Sequence, residues 1–400
     1  MPYLIVFLLA LLFTYQYDIK RRTQGKELAY FILLLSAVFL AGCRYVVGGD
    51  TVRYMRYWED YPTFSDGNIF YQARFDPLWT LLSVACKSVC NDFIFFQFVH
   101  AVLLNGILFL GVFKKQDFFK RYRFTIVLFY LLYAYIYFNT EVLRESLAVA
   151  FFLLAFPAFQ EKKWVRYYLF AIVAFLFHTS AIVVFLFPFF RSIPYKKKYI
   201  IVLFVTVIII FLFLNNLLDI FLLDDAMKAK YGSYDDSHRN LNGKIFYFIK
   251  YFAVVALLIY INDVKLKKKS AIYTCFYVIN AFIAAISIGN PAVGGRFYNY
   301  IWLLVIGYYV YVLYNISYSK YFSIIRKRAL FLFIMFPLLF YYEKYFRDES
   351  EVMSGTLSGF KYYPYTSIFQ KDDKDSEYLI RKRIYYVDAL QLYQMKYVSK

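Results

Sequence analysis

Residues 164–190 have the sequence WVRYYLFAIVAFLFHTSAIVVFLFPFF, and this stretch decides the fold. A helix that crosses a bilayer needs roughly 20 apolar residues, so the stretch is long for one span and short for two. Basic clusters lie on both sides of it, at 162–166 and 191–198. Because Lys and Arg in short loops mark the cytoplasmic side, both flanks are predicted to be cytoplasmic. We therefore predict a hairpin of two short helices that turns near His178.

The rest of the sequence has the same character. Apolar residues make up 62% of the chain, aromatic residues make up 24%, and the mean hydropathy is +0.49. The charges gather into short clusters instead of following an amphipathic spacing, which excludes a soluble protein. The sequence therefore predicts an all-α, polytopic integral membrane helix bundle with about 12 transmembrane helices. The predicted spans outside the hairpin are residues 4–17, 28–43, 93–113, 124–138, 142–159, 199–223, 245–261, 271–288, 297–316 and 329–345.

The basic clusters predict the orientation of the chain. All of them can face the cytoplasm only if the hairpin is present and residues 44–91 stay outside. The resulting domain organisation is a membrane domain, 1–345, with outer loops 44–91 and 223–243, followed by an extracytoplasmic tail, 346–400. Both termini are then predicted to be extracytoplasmic. The clusters lie at residues 20–26, 114–123, 162–166, 191–198, 265–269 and 320–328.

The formal net charge of +19 raises the question of nucleic acid binding. Most of the excess lies in the clusters that orient the helices, so we predict no nucleic acid partner. The sequence contains neither a Walker loop nor a Gly-rich dinucleotide fingerprint, and we predict no cofactor and no metal. The four cysteines are better suited to packing than to a disulfide framework.

Polar residues without an orienting role gather in the first outer loop. This loop combines Arg44, Asp50, Arg53, Tyr54 and further charged and aromatic residues. Aromatic planes beside paired charges suit sugar rings, which stack on their C–H faces and hydrogen-bond through their hydroxyls. The alternative is a solvated loop with an interfacial belt of Tyr and Trp. In the same loop, we expect Asp76 to cap a helix that begins at Pro77 and is too short to span the membrane.

Other ionisable residues stand at predicted outer ends of helices. Arg144 follows Glu141 at the mouth of one helix, Arg296 lies at the start of another, and His178 lies at the tip of the hairpin. Outward-facing arginines fit a diphosphate, although a lipid headgroup contact or a salt bridge would also explain each of them. His178 fits acid or base chemistry, and a structural role is its alternative.

These motifs together resemble the EpsG family, Wzy-like polymerases of bacterial exopolysaccharide and O-antigen. The resemblance covers residues 28–369. It is carried by VGGDT at 47–51 with Tyr54, DPLW at 76–79, Arg144 with Leu147 and Ala148, HTSA at 178–181, Arg296 with Tyr300, and PYTS at 364–367.

The resemblance implies a GT-C-like membrane glycosyltransferase at the outer face of the bacterial cytoplasmic (inner) membrane. It would join polyprenyl-diphosphate-linked glycans, as donor and acceptor, in polysaccharide biosynthesis. Its other implied partners are membrane lipids and the chain-length regulator and flippase of the same pathway. The implied proton acceptor is His178, Asp50 or Glu141. The implied diphosphate and sugar-binding residues are Arg44, Arg53, Tyr54, Asp76, Arg144, Arg296, Tyr300 and Tyr365.

Three other functions stay open. A flippase or transporter of lipid-linked sugars would place charge along a central cavity, whereas the middles of these predicted helices hold few ionisable residues. An O-acyltransferase with a histidine at a helix end would need a donor supplied across the membrane. A glycan ligase would use the same donor as a polymerase.

Overall fold

The structure of the chain is a computed structural model. Every regular element among the residues that it describes is helical, and the two β-bridges that it contains are isolated. The described residues are 2–67, 69, 70, 76–192, 202, 205, 249–267, 271–289, 291–320, 322–335, 338, 339, 342, 345, 346, 348, 352, 353 and 356–398. The predicted span 199–223 and the predicted outer loop 223–243 lie essentially outside this set.

Within the described residues, four helices are long and apolar enough to cross a membrane: Pro2–Ile19, Phe93–Phe113, Leu143–Gln160 and Val293–Tyr318. The all-α prediction is thus confirmed for this part of the chain. The α-helices are α1 (Pro2–Phe13), α2 (Lys26–Gly42), α3 (Gly49–Tyr57), α4 (Pro77–Val89), α5 (Phe93–Gly106), α6 (Asp117–Lys120), α7 (Arg123–Tyr133), α8 (Tyr135–Thr140), α9 (Leu143–Gln160), α10 (Trp164–Phe177), α11 (Phe187–Ser192), α12 (Val254–Ile259), α13 (Ala271–Gly289), α14 (Pro291–Tyr318), α15 (Ile324–Met335) and α16 (Lys374–Val398).

The chain divides into two compact units. The first comprises Met1–Ala181 and Tyr342–Tyr393, and the second comprises Ile182–Tyr341 and Gln394–Lys400. Each unit is described by itself below.

One end of the first unit carries basic loops. The Glu27 carboxylate accepts a hydrogen bond from Arg123 and lies 2.8 Å from the Lys114 ammonium. Beside it, Asp18 Oδ2 accepts hydrogen bonds from the Thr125 backbone N–H, at 2.7 Å, and from the Thr125 hydroxyl, at 2.8 Å. The first two basic clusters of the sequence therefore lie at the same end of this unit. This agrees with their assignment to one side of a membrane.

The predicted outer loop and the C-terminal tail meet just beyond the C-terminal end of α2. The Tyr45 N–H donates to the Thr366 carbonyl, and the Gly48 N–H donates to the Lys361 carbonyl, both at 2.9 Å. The tail therefore folds onto the residues that follow α2 and is not a solvated extension. The apolar contacts between loop and tail come from Val46, Val52, Ile380, Tyr386 and Val387.

The predicted helix break at His178 is present. Helix α10 ends at Phe177, and His178 has an extended backbone with φ −159° and ψ 127°. A 3-10 segment, Thr179–Leu186, follows it. Because α9 and α10 are packed together and joined by a short turn after Gln160, His178 returns to the end of the unit where α9 begins.

Helix α4 begins at Pro77 as predicted and has 13 residues, which is too short for a span. The expectation that Asp76 caps this helix is wrong. Asp76 occupies the N-cap position, but its side chain makes no capping hydrogen bond. Its carboxylate is instead engaged by Arg144, at 2.7 Å, because a charged partner binds more strongly than a backbone N–H.

In the second unit, helices α13 and α14 pack closely. A Cβ atom on Gly294 would lie 2.0 Å from the Ser287 hydroxyl oxygen, so only glycine permits this approach. Helix α14 begins at Pro291, and Arg296 lies half-buried in its second turn. The Tyr300 side chain, one turn further along, is fully buried.

Arg383 is the residue that fastens the tail to the outer loop. Its guanidinium is buried and donates to the carbonyls of Phe360, Val46 and Pro364, at 2.9, 3.1 and 2.7 Å, and to the Thr366 hydroxyl at 2.8 Å. Loss of these donors would leave buried acceptors without partners.

We expect Arg383→Met to loosen the tail by on the order of 3 kcal/mol, because unsatisfied buried acceptors are costly. Hydrogen exchange at the Tyr45 and Gly48 amides, which donate to the tail, should accelerate accordingly. Arg381→Met is the matched control, since the Arg381 side chain is 78% exposed and pairs only with Glu377 among the ion pairs described. Equal exchange in the two variants would contradict this role for Arg383.

The orientation can be tested by cysteine labelling from outside intact cells. Ser65→Cys and Lys371→Cys should react with an impermeant reagent, whereas Lys115→Cys and Lys163→Cys should not, and all four positions are exposed. The background must lack the native cysteines, because Cys90 is exposed. Labelling of Lys115→Cys from outside would invert the orientation that the basic clusters predict.

Candidate functional site

Polar side chains from five segments of the first unit meet where α9 begins. They come from α3, from the residue before α4, from the start of α9 and its preceding turn, and from the turn after α10. Hydrogen bonds and chain neighbours connect them. We call this group the ionic cluster; it consists of Tyr54, Asp76, Glu141, Arg144, Glu145, His178 and Ser180.

The double glycine at 48 and 49 anchors α3 to this cluster. Gly48 has φ +93°, and a Cβ atom there would lie 2.5 Å from both Cβ and the carbonyl oxygen of Thr140. Glycine is therefore required for the chain to pass this point. The next residue, Gly49, donates its N–H to Glu141 Oε1 at 2.6 Å. Glu141 also accepts a hydrogen bond from the Tyr362 hydroxyl, whose pKa is raised by burial and by this carboxylate.

Arg144 links two elements of the outer loop. Its Nε donates to the Tyr54 hydroxyl at 2.6 Å, and its Nη1 donates to Asp76 Oδ2 at 2.7 Å. The side chains of Arg144 and Asp76 are 23% and 10% exposed, so the ion pair is largely shielded from water. Charge-assisted hydrogen bonds of this kind are strong and directional. Arg144 thus holds α3 and the start of α4 against the start of α9.

The Tyr54 ring has an apolar environment. It packs on Trp79 with 5.0 Å between the ring centroids, and the Trp79 indole N–H donates to the Tyr61 hydroxyl at 3.0 Å. Burial raises the pKa of Tyr54, so its hydroxyl keeps its proton at neutral pH and accepts from Arg144.

His178 lies at the centre of a short chain of polar groups. The His178 Nδ1 atom is 2.7 Å from the Ser180 hydroxyl oxygen and accepts from the Ser180 backbone N–H at 3.1 Å. The Ser180 hydroxyl in turn lies 3.3 Å from Glu145 Oε1. Glu145 is 1% exposed and His178 is 8% exposed. A carboxylate, a hydroxyl and an imidazole are therefore connected in a buried environment, which is an arrangement that can move a proton.

Arg44 and Tyr365 contact the protein rather than an open surface. Arg44 is 1% exposed and donates to the Ala41 carbonyl and to the Thr51 hydroxyl. Burial lowers the pKa of its guanidinium to about 10. The Tyr365 hydroxyl donates to the Leu40 carbonyl at 3.1 Å. The Arg44 contacts favour a structural role in joining α2 to α3, and the Tyr365 contact favours one in joining the tail to α2.

Four further residues were predicted for the site, and one of them, Asp50, lies close enough to Tyr54 and Arg144 to interact electrostatically with both. Asp50 and Arg53 form an ion pair at 3.9 Å on α3, and their side chains are 30% and 33% exposed. A pair this long and this accessible stabilises the fold little. Arg296 and Tyr300 belong to the second unit.

Two residues of the ionic cluster, Glu145 and Ser180, were not predicted as site residues. Glu145 carried a signal, because a carboxylate inside an apolar helix is costly unless it is paired or functional. Ser180 lies two residues after His178, within the HTSA motif at 178–181 that contributes to the family resemblance. Only folding brings the hydroxyl to a carboxylate that is 35 positions away along the chain.

Comparison with known proteins gives one match. A family model described as the EpsG family matches residues 27–367 of the chain. Neither a curated protein nor a solved structure matches it. The matched range contains the whole ionic cluster and ends within the run of tail residues that packs on α2.

Proposed function

The chain belongs to the EpsG family, and from this premise we propose that it polymerises polyprenyl-diphosphate-linked oligosaccharide repeat units. The reaction is a glycosyl transfer at the outer face of the bacterial cytoplasmic membrane, in exopolysaccharide, capsule or O-antigen biosynthesis. The observation that supports it most is the ionic cluster itself. It combines an arginine, carboxylates and a histidine at the end of the first unit remote from the two basic loops.

The proposed architecture is a GT-C-like membrane domain, 1–345, with about 12 spans, and an extracytoplasmic tail, 346–400. Both termini are then outside. Support comes from the first unit, where two basic clusters share one end while loop 44–57 and tail residues 360–383 share another. Positive residues on the cytoplasmic side would place the ionic cluster outside.

The proposed chemistry uses a donor that is already activated. The acceptor hydroxyl loses its proton, its oxygen forms a bond to the anomeric carbon, and the bond from that carbon to the diphosphate oxygen breaks. The diphosphate leaves with the electron pair. Arg144, together with Arg53, would stabilise the negative charge that grows on it. A preformed donor of this type requires neither a nucleotide nor a metal site.

Three groups were candidates to take the proton, and their surroundings rank them. Glu141 accepts from the Gly49 N–H and from Tyr362, which suits an anchoring role. Asp50 is partly exposed and lies beside Arg53. His178 is buried and connected through Ser180 to a second acceptor, as a general base should be. We therefore propose His178 as the base.

The partners of this reaction are the lipid-linked donor and acceptor glycans and the membrane lipids around them. The chain-length regulator and the flippase of the same pathway are further proposed partners. The basic clusters account for the positive charge, so no nucleic acid partner is proposed.

Deleting the gene in its host and examining the glycan on a gel tests this function. Loss of the long ladder with single repeat units kept at the surface supports a polymerase. Loss of the single repeats as well would support a flippase instead. Polymer that accumulates on its lipid carrier would support a ligase, and a ladder of normal length that lacks acyl groups would support an O-acyltransferase.

A further inference from the structure

An open cavity of about 440 Å³ lies between α14 and α15 of the second unit. Helix α14 belongs to the candidate span Val293–Tyr318, so the cavity adjoins a segment that is apolar enough to cross a membrane. A cavity of this size with mainly apolar walls suits a hydrocarbon chain. Its lining residues include Leu313 and Ser317 of α14 and Lys327, Arg328, Phe331 and Leu332 of α15.

Two cations belong to the lining of this cavity. The Lys327 ammonium donates to the Ser317 carbonyl at 2.9 Å, which holds it beside the last turn of α14. Arg328 is exposed, and among the described residues its guanidinium has neither a hydrogen-bond partner nor an ion-pair partner. A guanidinium with all its N–H groups available can bind a phosphate through two parallel hydrogen bonds.

The lining changes from polar to apolar along both helices. Ser317 lies near the end of α14 and Lys327 lies in the first turn of α15, so these residues mark the end of the cavity where the two helices are connected. Leu313 and Phe331 each lie one turn further from this connection. The cavity therefore matches a molecule with an anionic group at one end and a hydrocarbon chain at the other.

We propose that this cavity binds an anionic phospholipid. The lipid phosphate accepts hydrogen bonds from Arg328 and interacts with the Lys327 ammonium, and an acyl chain lies against Leu313 and Phe331. The first turn of α15 contains no acidic residue, so its basic residues face the positive end of the helix dipole, and a bound anion offsets this repulsion. A zwitterionic lipid would bring its own ammonium group towards the same cations and bind more weakly.

The lipid carrier of the proposed reaction is another anionic amphiphile, and the charge pattern favours a bilayer phospholipid over it. The proposed glycosyl transfer takes place at the outer face, whereas residues 320–328 form a basic cluster that is predicted to be cytoplasmic. Basic pockets between helices on that side of a membrane bind the headgroups of anionic phospholipids. The inference goes beyond the proposed function, and its test needs no glycan.

Native mass spectrometry of the full chain, purified and delipidated in an uncharged detergent, measures the binding. Phosphatidylglycerol should bind more tightly than phosphatidylcholine with the same acyl chains. Arg328→Met should weaken phosphatidylglycerol binding by about 5- to 10-fold, as loss of one cation and its hydrogen bonds to a phosphate does. Arg326→Met is the matched control, since Arg326 is exposed in the same basic cluster but is not a lining residue. Leu313→Trp, which fills the cavity and keeps both cations, should weaken binding as much as Arg328→Met.

Four results would overturn the proposal. Equal binding of the two phospholipids, or equal losses in Arg326→Met and Arg328→Met, would reduce it to general contact with the bilayer. Full binding by Leu313→Trp would remove the cavity from the site. Displacement of phosphatidylglycerol by a lower concentration of polyprenyl phosphate would assign the cavity to the lipid carrier. If Leu313→Trp does not fold, the comparison of Arg328→Met with Arg326→Met decides, because both side chains are exposed. A normal glycan ladder after gene deletion would contradict the proposed function and leave the lipid measurements unchanged.

Discussion

Replacing His178 by alanine is expected to lower polymerisation by about 10²- to 10⁴-fold, the usual contribution of a general base. At this site the His178 imidazole contacts the Ser180 hydroxyl, and that hydroxyl in turn contacts the Glu145 carboxylate. Membrane insertion should be unaffected, since the side chain lies at a helix break rather than inside a span. Ladder length at matched expression is the measurement.

His178→Gln should fail as badly as His178→Ala. An amide fills much of the same space and can donate a hydrogen bond, but it does not accept a proton at neutral pH. Thr179→Ala should keep the full ladder. If His178→Ala also keeps it, the base has to be sought at Asp50, whose pair with Arg53 is long and accessible, before Glu141.

Features set by local sequence could be predicted. The break at His178 follows from a 27-residue apolar stretch between two basic flanks, which no single ordinary span explains. The start of α4 follows from Pro77, which favours the first position of a helix. Patterns of hydropathy and charge indicate structure over one turn or one span of the chain. These two predictions depend on no contact between more distant residues.

Features set by contacts between distant segments could not be predicted from the sequence. Nothing in the pattern around Asp76 indicates that its carboxylate pairs with Arg144, 68 positions later, instead of capping its own helix. Arg44 reads as an outward charge, yet the tail covers the loop that contains it, with a β-bridge between Arg44 and Ser367. Burial by a segment more than 300 residues away favours a packing role for Arg44 over the ligand contact that the sequence predicts.

A substitution that tests only the charge of Arg144 does not establish its role. Lys keeps a positive charge but presents a single ammonium, whereas guanidinium is planar and carries five N–H groups. The contacts with Tyr54 and Asp76 use two of these, one on Nε and one on Nη1. A clamp on the outer loop and a ligand of the diphosphate are the two roles that the variants have to separate. Failure of Arg144→Lys by itself does not separate the two roles, and Asp76→Asn is needed beside it.

We expect both Arg144→Lys and Arg144→Ala to lower polymerisation by about 10²- to 10³-fold, as loss of a donor to developing negative charge does. Asp76→Asn, which removes the ion pair but leaves the guanidinium in place, should cost less than about tenfold if the diphosphate is the main partner. Arg56→Lys is the control, because the Arg56 side chain is 31% exposed and its pair with Asp388 needs only a positive charge at the surface. Ladder length for each variant at matched expression decides. Equal losses in Asp76→Asn and Arg144→Lys would make Arg144 a clamp alone. A full ladder from Arg144→Lys would remove it from the site and leave the diphosphate to Arg53.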